Sequence, residues 1–570
     1  MPRPRGTGCI TCRIRRIKCD GGKPHCRRCV STGRKCDGYM PLDSKLSRRD
    51  LAAAAREPPP SRWRHYEPTP TQPSLALFSY PGTAAKQDLR DREYHLFDLF
   101  RSNTAPPTTS FMPSKFWARD VLQLAHSEPA VWHAAVALAA IQNRWKNETL
   151  RTSTSDIQPS SQTNEAELHY YRAVTRAREM REPTQLLALS ITLGSAANLM
   201  GRLRESRIHL VSGRKILSQS GLTDATEQAA EMLARLDLEA MSFSEATAPY
   251  EHEDTDVFRQ MLLDNENIVS YEQAAGSLFR MLRICMLAGQ VPSVPDDSGF
   301  PEDLVSALET WEKSVAAFEA KRNERKGADE KDDMIPALAI RMYHTLLRLF
   351  GRVSFLGPQI RYDVHLNLFE RLILLCEGFF QRMQNATGTI TMELGLIVVL
   401  FVVGARCRHP NIRHRTIRLL TNLKRQEGLW RSDATAACIQ TIMDIEYEEL
   451  RLYTAEQDTR ASSTSDNEAH TEQRPDTDQA KEEPEMSAEE LEKRLAEAMA
   501  VPWDAWSNPT FVLPCHETWD GVTVIPEVCR VKQAAPTISI AERCVSATVY
   551  ISSGDDENPI RSIRNEKAWF

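Results

Sequence analysis

Six of the chain's thirteen cysteines lie within the first 36 of its 570 residues. Cys9, Cys12, Cys19, Cys26, Cys29 and Cys36 read C-x2-C-x6-C-x6-C-x2-C-x6-C, so one half, C-x2-C-x6-C, is used twice. A disulfide framework would need an export signal, and Met1-Pro2-Arg3-Pro4-Arg5-Gly6 has no apolar h-region. Metal is the better reading. Tetrahedral zinc takes four ligands, so two ions need eight thiolate positions. Six sulfurs fill eight positions when two of them bridge both metals, and the duplication places Cys9 and Cys26, the first cysteine of each half, as those bridges. Each half is expected to wrap one ion with a short helix that starts at its second cysteine. Six residues after Cys12 make under two turns, too short to persist alone, so metal binding is what folds the segment.

The spacers are basic. Arg13, Arg15, Arg16 and Lys18 fall on the first short helix, with Ile14 and Ile17 at i, i+3 facing inward. A metallothionein-like store has no need of arginine at nearly every exposed position. Residues 1–50 carry 14 Lys/Arg against 4 Asp/Glu, a formal +10, while the rest carry 57 against 73, or −16. The overall −6 therefore hides a basic head on an acidic body, as expected of a nucleic-acid reader.

Over about residues 8–38 these features resemble the fungal Zn(2)-C6 binuclear cluster transcription factors: all six cysteines, the run Arg13 to Asp20, and Pro24 between the halves. The resemblance implies two structural zinc ions and double-stranded DNA as partner. It implies CGG-type triplets read in the major groove, with the base contact at Arg16 and help from Arg15. Arginine can grip guanine bidentately. Lys18, Arg13, Arg27, Arg28, Arg34 and Lys35 read as phosphate contacts.

The body reads as all-helical and the chain as mostly α. Leu89, Leu96, Phe97 and Phe100 share one helical face, as do Val131, Ala135, Leu138 and Ile141 after a start signal at Ser127-Glu128-Pro129. Leu168–Met180, Leu186–Leu199 and Arg204–Ser218 continue the pattern, with Gly221 as a stop. Further helices are expected at 224–242, 272–289, 301–321, 333–353, 362–386, 391–407, 411–426 and 432–453. The apolar run Leu394–Ala405 is 12 residues, short of the ~20 of a membrane span, so no membrane partner is expected. The segments Asp120–Ala134, Arg207–Leu217 and Arg406–Leu420 resemble the fungal-specific transcription factor domain, over about residues 90–450. That likeness implies a helical regulatory domain without a chemistry of its own.

The expected organisation is a zinc cluster head at 1–38, a proline-rich linker at 39–85 with a short helix at 45–56 and no coiled-coil heptads, and a helical regulatory domain at 86–453. A disordered acidic segment at 454–486 and a C-terminal tail at 487–570 follow. Surface loops are expected at Thr152–Asn164 and Arg322–Asp333. Ser487 caps an acidic helix bearing Leu491, Leu495 and Met499, and Trp503, Trp506 and Phe511 follow it. That stretch has two open readings, an activation segment for coactivator grooves or a helix docked on the body. In the tail, Val522–Ile525 and Val545–Val549 suggest a small hairpin or nothing.

The function expected is a nuclear, sequence-specific DNA-binding regulator of RNA polymerase II genes. Coactivators or corepressors, and a second copy of the chain paired through the helical body, are candidate protein partners. A body that senses a small ligand is the alternative. An enzyme is not expected, since G-x-S-x-G, H-E-x-x-H, G-x-x-x-x-G-K-[ST] and G-x-G-x-x-G are all missing. His133 and His209 read as polar edge residues, most of the seven later cysteines as buried thiols in apolar helical patterns, and Cys407-x-His409 as a chance pairing.

Overall fold

The computed structural model describes residues 19–20, 26–31, 83–112, 114–150, 161–221, 223, 226–244, 268–288, 302–325, 334–353, 357–383, 389–464, 486–508, 511–539, 544–554 and 560–569. The chain divides into two units, Met1–Tyr80 and Pro81–Phe570. In the first, the described residues include one short helix, α1 (Arg27–Val30). The expected linker lies outside the described residues as far as 82, as does the short helix at 45–56.

The second unit is built chiefly of helices. Its first part holds α2 (Thr83–Leu99), α3 (Ala105–Phe111), α4 (Val121–Ser127), α5 (Pro129–Leu150), α6 (Ser161–Arg176), α7 (Pro183–Leu199), α8 (Leu203–Ser220) and α9 (Glu227–Ser244). Then come α10 (Tyr271–Ala288), α11 (Glu302–Arg325), α12 (Met334–Phe350), α13 (Leu366–Arg382), α14 (Leu396–Arg406), α15 (Pro410–Leu423) and α16 (Ser432–Thr464). Helices adjacent in sequence pack as neighbours, α5 on α6, α7 on α8, α12 on α13 and α15 on α16. Val131, Ala135, Leu138 and Ile141 are buried along α5 as their spacing predicts. Proline opens that helix, but Ser127 does not cap it. Its hydroxyl donates back to the Leu124 carbonyl at 3.2 Å, and the Glu128 carbonyl accepts the first bond of α5.

Two apolar cores run through this unit, and α9 serves both. Met232, Leu233 and Leu236 face the first core, with α4 to α7, while Ala234, Leu238 and Met241 face the second. A helix apolar on both sides belongs inside a layered array. The run Leu394–Ala405 forms α14, with Leu396, Ile397, Val399, Leu400 and Val403 fully buried in the second core. No helix among the described residues is long and apolar enough to cross a membrane. Between the cores, β1 (Ile390–Thr391) runs parallel to β2 (Gln426–Glu427), which turns back to β3 (Trp430–Arg431). Gly428 makes that turn at φ 53°, and a Cβ there would strike the Glu239 carboxylate, which accepts the Leu429 N–H at 2.5 Å.

The C-terminal region departs from the expected all-helical body. Helix α16 runs on to Thr464, so the segment expected to be disordered from 454 opens inside a helix, and 465–485 lie outside the described residues. Ala455, Glu456, Gln457 and Arg460 are good helix formers, and extending an existing helix needs no new nucleus. Likewise α6 starts at Ser161 and α11 runs to Arg325, inside the two expected surface loops. The tail carries an antiparallel sheet of β4 (Val531–Ser539), β5 (Cys544–Ser552) and β6 (Ile560–Trp569), in that order. Val545–Val549 lies in β5, whereas Val522–Ile525 forms no strand.

Residues 487–508 pack on the helical body. Ser487 caps α17 (Ala488–Met499), accepting the Glu490 N–H at 3.2 Å. Leu495 lies over Gly378 of α13, where any Cβ would collide with it. Trp503 donates its ring N–H to Glu319 at 2.9 Å, and Arg341 lies 4.7 Å above its ring. Trp503 and Trp506 both meet His344 edge-on, and Trp311 stacks on that ring at 5.5 Å.

Glu446 of α16 is fully buried and accepts from Arg408 at 2.9 Å, from Arg413 at 2.7 Å and from the Val531 N–H at 2.8 Å. Burial opposes its charge, but the two guanidinia outweigh burial and hold it below the usual carboxylate range. Glu446→Gln should cost about 3–5 kcal/mol in chemical denaturation, because it strands two buried cations; a loss under about 1 kcal/mol would contradict this role.

Burial pushes His344 down from 6.5 to about 4, against the opposing pull of Glu312. The unfolded chain takes up this proton first, so the contribution is complete above pH 6.5 and declines as pH falls towards 4. His344→Gln should flatten the acid limb of stability, by up to about 1.4 kcal/mol per pH unit. An unchanged slope in denaturant melts at stepped pH would count against it.

Candidate metal centre

Three of the six expected ligands, Cys19, Cys26 and Cys29, are among the described residues; Cys9, Cys12 and Cys36 lie outside them. Cys26 and Cys29 are fully buried and Cys19 partly so, while Asp20, Arg27, Arg28 and Ser31 are exposed. Among the described residues of this segment, the buried side chains are those of two cysteines.

Local chemistry explains the turn. Cys26 stands at the N-cap of α1 with an extended backbone, φ −74° and ψ 141°. Its Sγ accepts the Cys29 N–H at 3.3 Å, and its carbonyl shares that N–H at 3.1 Å. Asp20 supplies the other acceptors, its two carboxylate oxygens taking the Arg27 N–H at 3.1 Å and the Arg28 N–H at 3.4 Å. The N–H groups that a helix start leaves bare are thereby met. Loss of solvent pushes the Asp20 carboxyl up, but the N–H bonds from Arg27 and Arg28 prevail and hold it below its ordinary value.

These caps correct one expectation. The helix of the second half begins directly after its first cysteine, Cys26, and not at its second, Cys29. The acceptors for the first-turn N–H groups are the Cys26 sulfur and the Asp20 carboxylate, so the turn starts where they are. Asp20 itself was missed by the sequence reading. Its place after Cys19 is the signal, but capping rules look one residue ahead of a helix, and Asp20 is seven before Arg27.

The ligand atoms of Cys19, Asp20 and Cys26 lie within 4.8 Å of one another. Cys19 belongs to the first half of the motif and Cys26 to the second, so a bridging Cys26 has a first-half sulfur beside it. Soft thiol donors converging from two halves, with a further cysteine one turn on, fit zinc. The side chains of Arg27 and Arg28 project from this nucleus into solvent. Arg13, Arg15, Arg16 and Lys18 lie outside the described residues.

Residues 7–46 match the fungal Zn(2)-Cys(6) binuclear cluster domain, and residues 95–273 the fungal specific transcription factor domain. The aspercryptin biosynthesis cluster-specific transcription regulator atnN of Emericella nidulans is 33% identical over 224 residues, 38% of this chain and 35% of the relative. The Zn(2)-C6 fungal-type transcription factor afumD of Aspergillus fumigatus is 34% identical over 142 residues, 24% and 31% of the two chains. The transcriptional regulatory protein moc3 of Schizosaccharomyces pombe is 64% identical over 33 residues, 6% of each. The chain thus spans about a third of the length of the first two relatives. No solved structure matches it.

Asp20→Ala should speed the transfer of zinc from the full chain to a chelator, with Asp20→Asn, which keeps one acceptor oxygen, in between. Identical release from all three proteins would show that the carboxylate does not seat the helix.

Proposed function

We propose that this chain is a nuclear, sequence-specific DNA-binding regulator of transcription by RNA polymerase II. The observation that carries the reading is the meeting of Cys19 and Cys26, one from each half, inside the segment that matches the binuclear cluster domain. Cys9, Cys12, Cys19, Cys26, Cys29 and Cys36 would hold two zinc ions, with Cys9 and Cys26 shared between them. The ions supply cross-links to a segment too short for an apolar core. Thiolates fill every position, so the role proposed for the metal is structural and no catalysis is assigned to the chain.

DNA recognition falls to the arginines between the ligands. Arg16, helped by Arg15, would donate to guanine O6 and N7 in a CGG-like triplet. Arg13, Lys18, Arg27 and Arg28 would neutralise phosphates. For Arg27 and Arg28 the support is their exposure on α1, whose backbone is already fixed by Asp20. The head at 1–38 would be joined by residues 39–85 to the helical regulatory body at 86–453, through which coactivators, corepressors or a second copy of the chain would act.

Selection of bound sites from random DNA by the zinc-loaded full chain tests this reading. Recovery of CGG-like triplets is expected, and no enrichment would refute it. On the selected site, Arg16→Ala should cost about 1–3 kcal/mol and blur the triplet. Arg28→Ala should weaken specific and random DNA alike and lower the salt slope by roughly 1. Equal losses on both DNAs for both variants would overturn the division between base and phosphate contacts.

A further inference from the structure

Away from the cysteines, three metal-ligating side chains meet where α2, α5 and α6 pack. Glu93 comes from α2, His133 from α5 and His169 from α6, and one ligand atom of each lies within 4.8 Å of the others. The Nδ1 atoms of His133 and His169 are 3.1 Å apart. Two imidazole nitrogens bonded to one zinc at about 2.0–2.1 Å, with an angle between about 90° and 110°, lie roughly 2.9–3.4 Å apart. We propose that Glu93, His133 and His169 form a divalent-metal site of the zinc class, separate from the cysteine head.

A bare histidine pair sharing one proton would also give the nitrogen spacing, so the carboxylate decides. One ligand atom of Glu93 lies within 4.8 Å of one from each ring, and its Oε1 stands 4.0 Å from His169 Nε2, beyond a hydrogen bond and at the ring nitrogen other than the Nδ1 that meets His133. At that distance it does not serve His169 Nε2 as an ordinary acceptor. Two nitrogens and a carboxylate oxygen are a donor set that suits zinc and leaves a position for water or a further ligand.

The neighbouring charges set the strength of the site. Arg172 donates to Glu93 Oε1 at 2.8 Å, which fixes that carboxylate beside the rings. Arg172 adds positive potential at both rings and Arg176 at His133. The site should therefore bind more weakly than one without guanidinia, and an ion in it would tie α2 to the α5–α6 pair. None of this uses the cysteines or the DNA-binding reading.

The test counts zinc in the full chain after equilibration with the metal, comparing wild type with His133→Gln, His169→Gln and Glu93→Gln. Each variant is expected to hold one zinc fewer, or to bind that ion at least tenfold more weakly in a zinc titration. The readout is a difference, so a head that fails to hold its own ions leaves it intact. Equal counts and equal titrations in all four proteins overturn the site. Should a histidine variant not fold by circular dichroism, Glu93→Gln decides alone. Its side chain is 20% exposed and the change alters only charge.

Discussion

Glu446 is taken wholly out of water, and the arrangement of the C-terminal third follows from what neutralises it. Arg408, in the link between α14 and α15, and Arg413, in the first turns of α15, both reach it, and so does the N–H that starts β4. One carboxylate therefore fixes a helix connection, the long helix α16 and the first strand of the sheet. A charge buried in a low dielectric is tolerated only with such partners, and the partners then have no freedom to be elsewhere. Arg561 and Arg564 of β6 repeat the logic at the surface of the same helix, on Glu448 and Glu449. Asp237 with Arg283, at 2.5 Å, does so under α9.

The head meets the same constraint without a core to help. Among its described residues the buried groups are the sulfurs of Cys26 and Cys29, and a thiol becomes an anion when it holds metal. The Cys29 N–H points at Cys26, and the N–H groups of Arg27 and Arg28 point at Asp20. Backbone donors thus set the acceptors before any ion is considered. The side chains of Arg27 and Arg28 are exposed. On the proposed reading, metal would fold the segment from within, the Asp20 carboxylate would seat its edge, and the basic surface would be left for DNA.

Much of the helical body was legible because apolar residues at i, i+3 and i+4 leave a strong period. Val131 to Ile141 and Leu394 to Ala405 are examples, and each became a buried helix. The sheet was legible only at β5, where the β-branched run Val545–Val549 falls. β4 reads Val-Lys-Gln-Ala-Ala-Pro-Thr-Ile-Ser, with a proline and two alanines, and it is a strand because β5 pairs along it, Pro536 facing Ala547. β4 stands at the sheet edge, where proline is admitted. The docking of Trp503 depends on Glu319 and Arg341, far away in sequence, which no local pattern announces. In the head, ligand spacing showed the metal, but Asp20 acts across a gap that helix-start rules do not span. Glu93, His133 and His169 lie on three helices, so only packing brings them together.

The central claim is that six thiolates hold two ions by sharing sulfur between the halves. Cadmium NMR of the full chain, loaded with cadmium in place of zinc, addresses it directly. Sharing predicts two thiolate-type resonances that are scalar-coupled to each other through a bridging sulfur. A single tetrathiolate resonance, or two with no coupling between them, would contradict it.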